Sequence, residues 1–157
     1  MIIGILSDTH DNIPKIIKAV EVFNANKVKL VLHAGDFVAP FALLPLEKLD
    51  CDYIGVFGNN DGEKEGLREK SQKRIRTGPL AIKKFKKNIL LAHGMPQEIL
   101  EKDKIDFVIF GHSHRPEIRL QRKTLFVNPG ECCGWLTGKS TIAICRLTDL
   151  TCHILEI

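Results

Sequence analysis

The chain contains no apolar run approaching the roughly 18 residues that a membrane span needs. It also lacks internal repeats, low-complexity tracts and Pro- or Ser-rich linkers, so nothing divides its 157 residues and a single domain over 1–157 is expected. That length leaves no room for an appended substrate domain or a nucleic-acid clamp. The cysteines Cys51, Cys132, Cys133, Cys145 and Cys152 are odd in number, and adjacent Cys132 and Cys133 lack the two-residue gap of a zinc knuckle. All five are therefore read as reduced structural thiols. No aromatic residue interleaves with the basic stretch Arg68, Lys70, Lys73, Arg74 and Arg76, which reads as a solvated face rather than a nucleic-acid track. The N-terminal run reaches its first acid at Asp8, too soon for a signal peptide, and a cytoplasmic address is the expectation.

What is present is a recurring pattern. Five short apolar runs each stop and deliver Asp, His or Asn within a few residues. Ile2 to Ser7 leads into Asp8-Thr9-His10, and Leu30 to Gly35 leads into Asp36. Tyr53 to Gly58 leads into Asn59-Asn60-Asp61, Ile89 to Ala92 into His93, and Phe107 to Gly111 into His112-Ser113-His114. Such runs, bounded by glycine and polar residues, predict buried strands. Ligands of open α/β sheets bind beyond the carboxyl ends of strands, so these side chains are expected to converge there.

Between the strands, Asn12 caps a predicted helix carrying Ile13, Ile16, Ile17, Val20 and Phe23 at helical spacing, with Pro14 in its first turn. A second helix is predicted near Phe41 to Leu49, with Phe37 and Phe41 as core residues. Gly58 to Gly66 is predicted as a surface loop carrying chemistry. A hairpin is predicted around Lys86-Lys87, and a short helix from Pro96 to Lys102. From Phe107 onward only strands are expected, which together with the earlier alternation implies mixed sheets flanked by helices.

Asp8 and His10 are two residues apart, as are His112 and His114, so each pair can reach one ion from a strand end. Asp36 follows a glycine that lets the backbone turn sharply, and one carboxylate can bridge two cations roughly 3.5–4 Å apart. His93 and Asn59 add a nitrogen and an amide oxygen. Imidazole and oxygen donors without thiolate suit Mn, Ni, Fe or Zn better than Ca or Mg; Mn is the favoured expectation. The net charge of +4 suits an anionic substrate. Each of these residues by itself could be an N-cap, a turn former or a buried imidazole; the seven together point to a two-metal hydrolase. His33 reads either as a support behind the ligands or as a hydrogen-bonded strand residue. His153 reads as an ordinary strand residue. Trp135 reads as covering a substrate or filling a dimer contact.

The ordered set Asp8-x-His10, Gly35-Asp36, Gly58-Asn59, His93 and Gly111-His112-x-His114 resembles the calcineurin-like metallophosphoesterase superfamily. The small size and the Asn128-Pro129-Gly130 turn look most like its YfcE-type phosphodiesterase branch. The resemblance implies a four-layer αββα sandwich of two mixed sheets flanked by helices. It implies one ion held by Asp8, His10, Asp36 and His114, and another held by Asp36, Asn59, His93 and His112. A hydroxide activated by both would cleave a small phosphodiester. Many members carry His where this chain has Asn60, and that His is assigned to protonating the leaving oxygen. Asn60 cannot do so, which leaves Asp61 or solvent and favours esters with good leaving groups. Two other roles exist on the same fold, a non-catalytic interaction scaffold like a retromer subunit and a nuclease. The intact ligand set favours the enzyme. A homodimer is left open.

Overall fold

The computed structural model describes residues 1–96 and 104–157. Apolar residues at helical spacing after Asn12 do form helix α1, Ile13–Ala25, which buries Ile16, Ala19, Val20 and Phe23. Asn12 caps it by accepting from the Lys15 N–H at 3.4 Å. The apolar run before it is strand β1, Ile2–Leu6, and the next is β2, Val31–His33. A 3-10 helix follows at Pro40–Lys48, then β3 at Tyr53–Val56, α2 at Lys64–Lys70 and β4 at Ile75–Arg76. The second half supplies β5 (Leu80–Lys84), β6 (Lys87–Leu91), β7 (Phe107–Ile109), β8 (Glu117–Gln121) and β9 (Thr124–Asn128). The last two strands are β10, Thr141–Arg146, and β11, Thr151–Glu156.

These strands make two mixed sheets, as expected. One has the order β11-β10-β1-β2-β3-β4 and the other β5-β6-β7-β9-β8. Within the first, β1 through β4 run parallel, while β10 pairs antiparallel with both β1 and β11. Within the second, β6, β7 and β9 run parallel between antiparallel edges. The inner layer joins the sheets through Ile3, Ile5, Leu32, Val56, Ile89, Leu91, Phe107, Ile109, Val127 and Ala143. The three described helical elements pack on the outer face of the first sheet, where Ile16, Phe23, Leu43, Leu46 and Leu67 meet Leu6, Val31 and Ile75. Burial removes this apolar surface from water at roughly 25 cal/mol per Å². The helix expected over 96–102 falls almost wholly outside the described residues.

Several expectations need correction. Cys145 and Cys152 are not free thiols but a disulfide, because the β10–β11 register sets them opposite one another with Cα atoms 4.0 Å apart. An odd cysteine count says nothing about such register; Cys51, Cys132 and Cys133 are free as expected. Phe41 is exposed rather than core, whereas Phe37 is buried and stacks on His33 with ring centroids 3.6 Å apart. The helix beside them is 3-10, and Pro45 within it has no N–H to donate. The expected loop over 58–66 runs into α2, which starts at Lys64. The hairpin turns at Phe85-Lys86, one residue earlier than expected, with both residues at positive φ.

Candidate metal centre

The parallel strands bring their carboxyl ends to one edge of the two-sheet stack, and the turns that follow them are tied together. The N–H groups of Thr9 and His10 both donate to the Asp36 carbonyl, at 3.0 and 3.1 Å, and that of Asp8 donates to Gly35 at 3.0 Å. The turn after β1 thus rests on the turn after β2. Across the sheets, the His112 N–H donates to Asp8 Oδ2 at 3.1 Å. Two glycines make this closeness possible. A Cβ on Gly58 would run into the Asp36 carboxylate, and one on Gly111 would strike the Ser7 hydroxyl and lie 2.7 Å from Asp8 Oδ2.

The backbone here is strained. Asp8, His10, Asp36, His112 and His114 all have positive φ, at 51°, 38°, 60°, 67° and 60°. Non-glycine residues in that region cost on the order of 1–3 kcal/mol each and persist where the surroundings enforce them. Two buried residues do the enforcing from behind. Asp61 accepts from the N–H groups of Gly58 (2.7 Å), Val38 (2.8 Å) and Asp36 (3.2 Å). His33 accepts at Nδ1 from the Gly35 N–H at 3.1 Å, which leaves its Nε2–H for Thr9 Oγ1, 3.1 Å away. Burial holds the His33 imidazole well below its usual pKa, with His93 and His10 adding to the effect, so it stays neutral. His33 is therefore a support behind the turns.

The seven side chains singled out in the sequence come together. Asp8, His10 and His114 form one side: His114 Nε2 is 3.5 Å from Asp8 Oδ1, and the two imidazoles stack at 5.3 Å. Asn59, His93 and His112 form the other. Asn59 Oδ1 lies 2.8 Å from His93 Nε2 and 2.9 Å from His112 Nδ1, and those two nitrogens are 3.2 Å apart. Asp36 Oδ2 sits between, 3.6 Å from His10 Nε2 and 3.5 Å from His93 Nε2. Asp8 Oδ1 and His10 Nε2 are buried without a hydrogen-bond partner. Buried polar atoms are ordinarily satisfied, so lone pairs converging unpaired on one space fit a cation between them. Ligand atoms of Asp8, Asp36 and His93 also lie within 4.8 Å of one another. Burial raises the Asp8 carboxyl above its usual pKa, while the neighbouring His114 and His93 pull it the other way.

Asn60, which cannot protonate a leaving group, and Asp61, which could, both have other partners in the structure. Asn60 turns onto Asp36, donating its side-chain N–H to Oδ2 at 2.7 Å and its backbone N–H to Oδ1 at 2.8 Å. Asp61 is buried under its three amide donors. Trp135 is 64% exposed at the rim, its indole N–H donating to the His10 carbonyl at 3.3 Å. His153 is exposed on β11.

Sequence reasoning missed Glu131. It is fully buried and its Oε2 accepts from His114 Nδ1 at 2.9 Å. Burial alone would raise its carboxyl, but hydrogen bonds from Thr137, His114 and Cys133 outweigh that and hold the pKa at about 2. The available signal was that Glu131 is the one charge between Val127 and Gly138. Cys133, whose thiol donates to Glu131 at 3.1 Å, groups within 4.8 Å of ligand atoms of His10 and His114. Among the described residues no helix is long and apolar enough to cross a membrane.

A model of the calcineurin-like phosphoesterase superfamily domain matches residues 1–150. A phosphodiesterase of Methanocaldococcus jannaschii is 41% identical over 152 residues, covering 92% of each chain. Among solved structures, an archaeal phosphodiesterase superposes with a TM-score of 0.92 at 37% identity, covering 100% of both chains. The YfcE phosphoesterase of E. coli superposes at 0.68 with 19% identity over 100% of both, a likeness of fold.

Proposed function

The chain belongs to the calcineurin-like phosphoesterase superfamily, and from that premise we propose that it hydrolyses small phosphodiesters at a centre of two divalent transition-metal ions. One observation carries the reading. A single buried carboxylate oxygen, Asp36 Oδ2, stands between His10 Nε2 and His93 Nε2 at nearly equal distances. Asp8, His10 and His114 would hold one ion, Asn59, His93 and His112 the other, and Asp36 both. Two such ions, when bound, supply Lewis acidity at phosphorus and a water acidified enough to attack it. Nitrogen and oxygen donors favour Mn, Ni, Fe or Zn.

The residues themselves do the remaining work. The strained turns hold the donors in place before any ion or substrate arrives, so little reorganisation is needed on binding. Asn60 keeps the Asp36 carboxylate oriented through both of its oxygens. A carboxamide does not give up a proton at neutral pH, and Asp61 faces inward as an acceptor. Departing groups that leave as stable anions are therefore favoured, activated diesters before alkyl monoesters. The intact ligand set supports catalysis over a scaffold role.

The test is to strip metal from the protein, refill it with Mn, Ni, Mg or Zn, and compare an aryl diester with its monoester under each. Activity should vanish on stripping, return with two equivalents of a transition metal, and favour the diester. Full activity in the stripped protein would overturn the reading.

A further inference from the structure

Glu131 has no part in the scheme above, yet every polar atom around it is spoken for. Its Oε2 accepts from His114 Nδ1 (2.9 Å), the Cys133 thiol (3.1 Å) and the Leu136 N–H (3.1 Å). Its Oε1 accepts from the Leu136 N–H (3.0 Å), the Thr137 hydroxyl (2.7 Å) and the Thr137 N–H. One buried carboxylate thus joins a histidine of the site to the loop that follows it.

We propose that Glu131 is a positioning residue that makes the Asp8–His10–His114 side the tighter of the two ion sites. The inference rests on the two-ion reading above. Three observations carry it. The carboxylate fixes the proton of His114 on Nδ1, so the Nε2 lone pair is the one presented beside Asp8 Oδ1. A carboxylate behind an imidazole orients the ring and makes it a better donor. The equivalent position behind His93 is filled by the Ala34 carbonyl, 2.8 Å from Nδ1, which carries no charge. The two sides also differ in charge. Asp8 and Glu131 lie on one side and the neutral Asn59 on the other, while Asp36 is shared. A cation is attracted more strongly to the first side, where burial leaves the field weakly screened.

The loop is tied to the same side. The N–H groups of Cys132 and Cys133 donate to the carbonyls of Ser7 (2.9 Å) and Asp8 (3.1 Å), and Asn12 Nδ2 donates to the Cys133 carbonyl at 2.8 Å. A purely structural Glu131 would only hold this loop, so the experiment must separate the loop from the histidine.

Manganese is titrated calorimetrically into metal-free wild type, Glu131→Gln, Glu131→Asp and Thr137→Val. Wild type should bind two ions in separable steps. Glu131→Gln should weaken the tighter step by about 10–100-fold and leave the other unchanged. Glu131→Asp, which keeps the charge but withdraws the oxygens, should fall between the two. Thr137→Val removes a donor from the loop side alone and should bind both ions as wild type does. Imidazole nitrogen NMR of metal-free wild type should show His114 protonated on Nδ1, a reading that survives even if a variant fails to fold. Glu131→Gln binding both ions as wild type does would overturn the proposal. So would equal weakening of both steps, or His114 protonated on Nε2. Absence of any metal binding by wild type would instead defeat the two-ion reading itself.

Discussion

Asn60 donates to both oxygens of Asp36, and this decides what an exchange at position 60 reports. Asn60→Ala removes the side-chain donor and should weaken binding of both ions without altering which esters are preferred. Asn60→His places a titratable donor beside the same carboxylate. For an aryl ester the departing phenolate is already stable and little should change. For an alkyl ester a positioned acid is worth roughly 10²–10⁴ in rate, so the gain should be concentrated there. Plotting log rate against leaving-group pKa for wild type and Asn60→His gives two slopes. A shallower slope in the variant supports the reading, and identical slopes place position 60 away from the leaving oxygen. The residues that cluster at the strand ends were legible in the sequence because each follows an apolar run directly, so local order alone locates it. Glu131 was not. Its meaning depends on a hydrogen bond to His114, 17 residues away, that no local pattern encodes.

At the scale of elements, the site is a set of turns bound to one another, and its tolerance for volume is small. Gly111 closes the gap between β7 and the turn after β1, where a methyl group would meet the Ser7 hydroxyl and Asp8 Oδ2. Gly111→Ala should therefore push Asp8 and His112 apart and break the His112 N–H bond to Asp8. Overpacking of this kind costs about 1–3 kcal/mol. The fold should survive, seen as an unchanged far-ultraviolet spectrum and a lower Tm, while metal affinity drops sharply. Wild-type metal affinity in this variant would show that the turn has slack. The same scale explains which elements sequence could place. Strands and α1 carry their period in their own residues. The 3-10 form of Pro40–Lys48, the Cys145–Cys152 bond and the exposure of Phe41 depend on partners: proline within a turn, a cross-strand register, and what packs alongside.

For the molecule as a whole, the two sheets were legible from the alternation of runs. What sequence left open was whether His33 supports the site or merely sits in its strand. Its two nitrogens contact the turns after β1 and β2, and its ring stacks on Phe37, so it joins the core to the edge that carries the cluster. That position ties site geometry to the acid stability of the whole fold. The folded protein keeps His33 neutral well below the ordinary value of 6.5, because burial disfavours the charged form. The unfolded chain takes up the proton near 6.5 as usual. Above that pH neither state holds the proton and the residue adds no pH dependence. As pH falls below 6.5 the unfolded state gains a proton that the folded state refuses, and stability declines until the folded value is reached. The contribution approaches about 1.4 kcal/mol per pH unit in that window. His33→Gln cannot take up the proton. It should be less stable than wild type at neutral pH, by about 1–3 kcal/mol for disturbed buried hydrogen bonds, but should lose less on acidification. Urea unfolding of metal-stripped wild type and variant across this range would show the two stabilities converging as pH falls. Parallel curves would mean that His33 takes up its proton in the folded state, and that another group sets the acid limit.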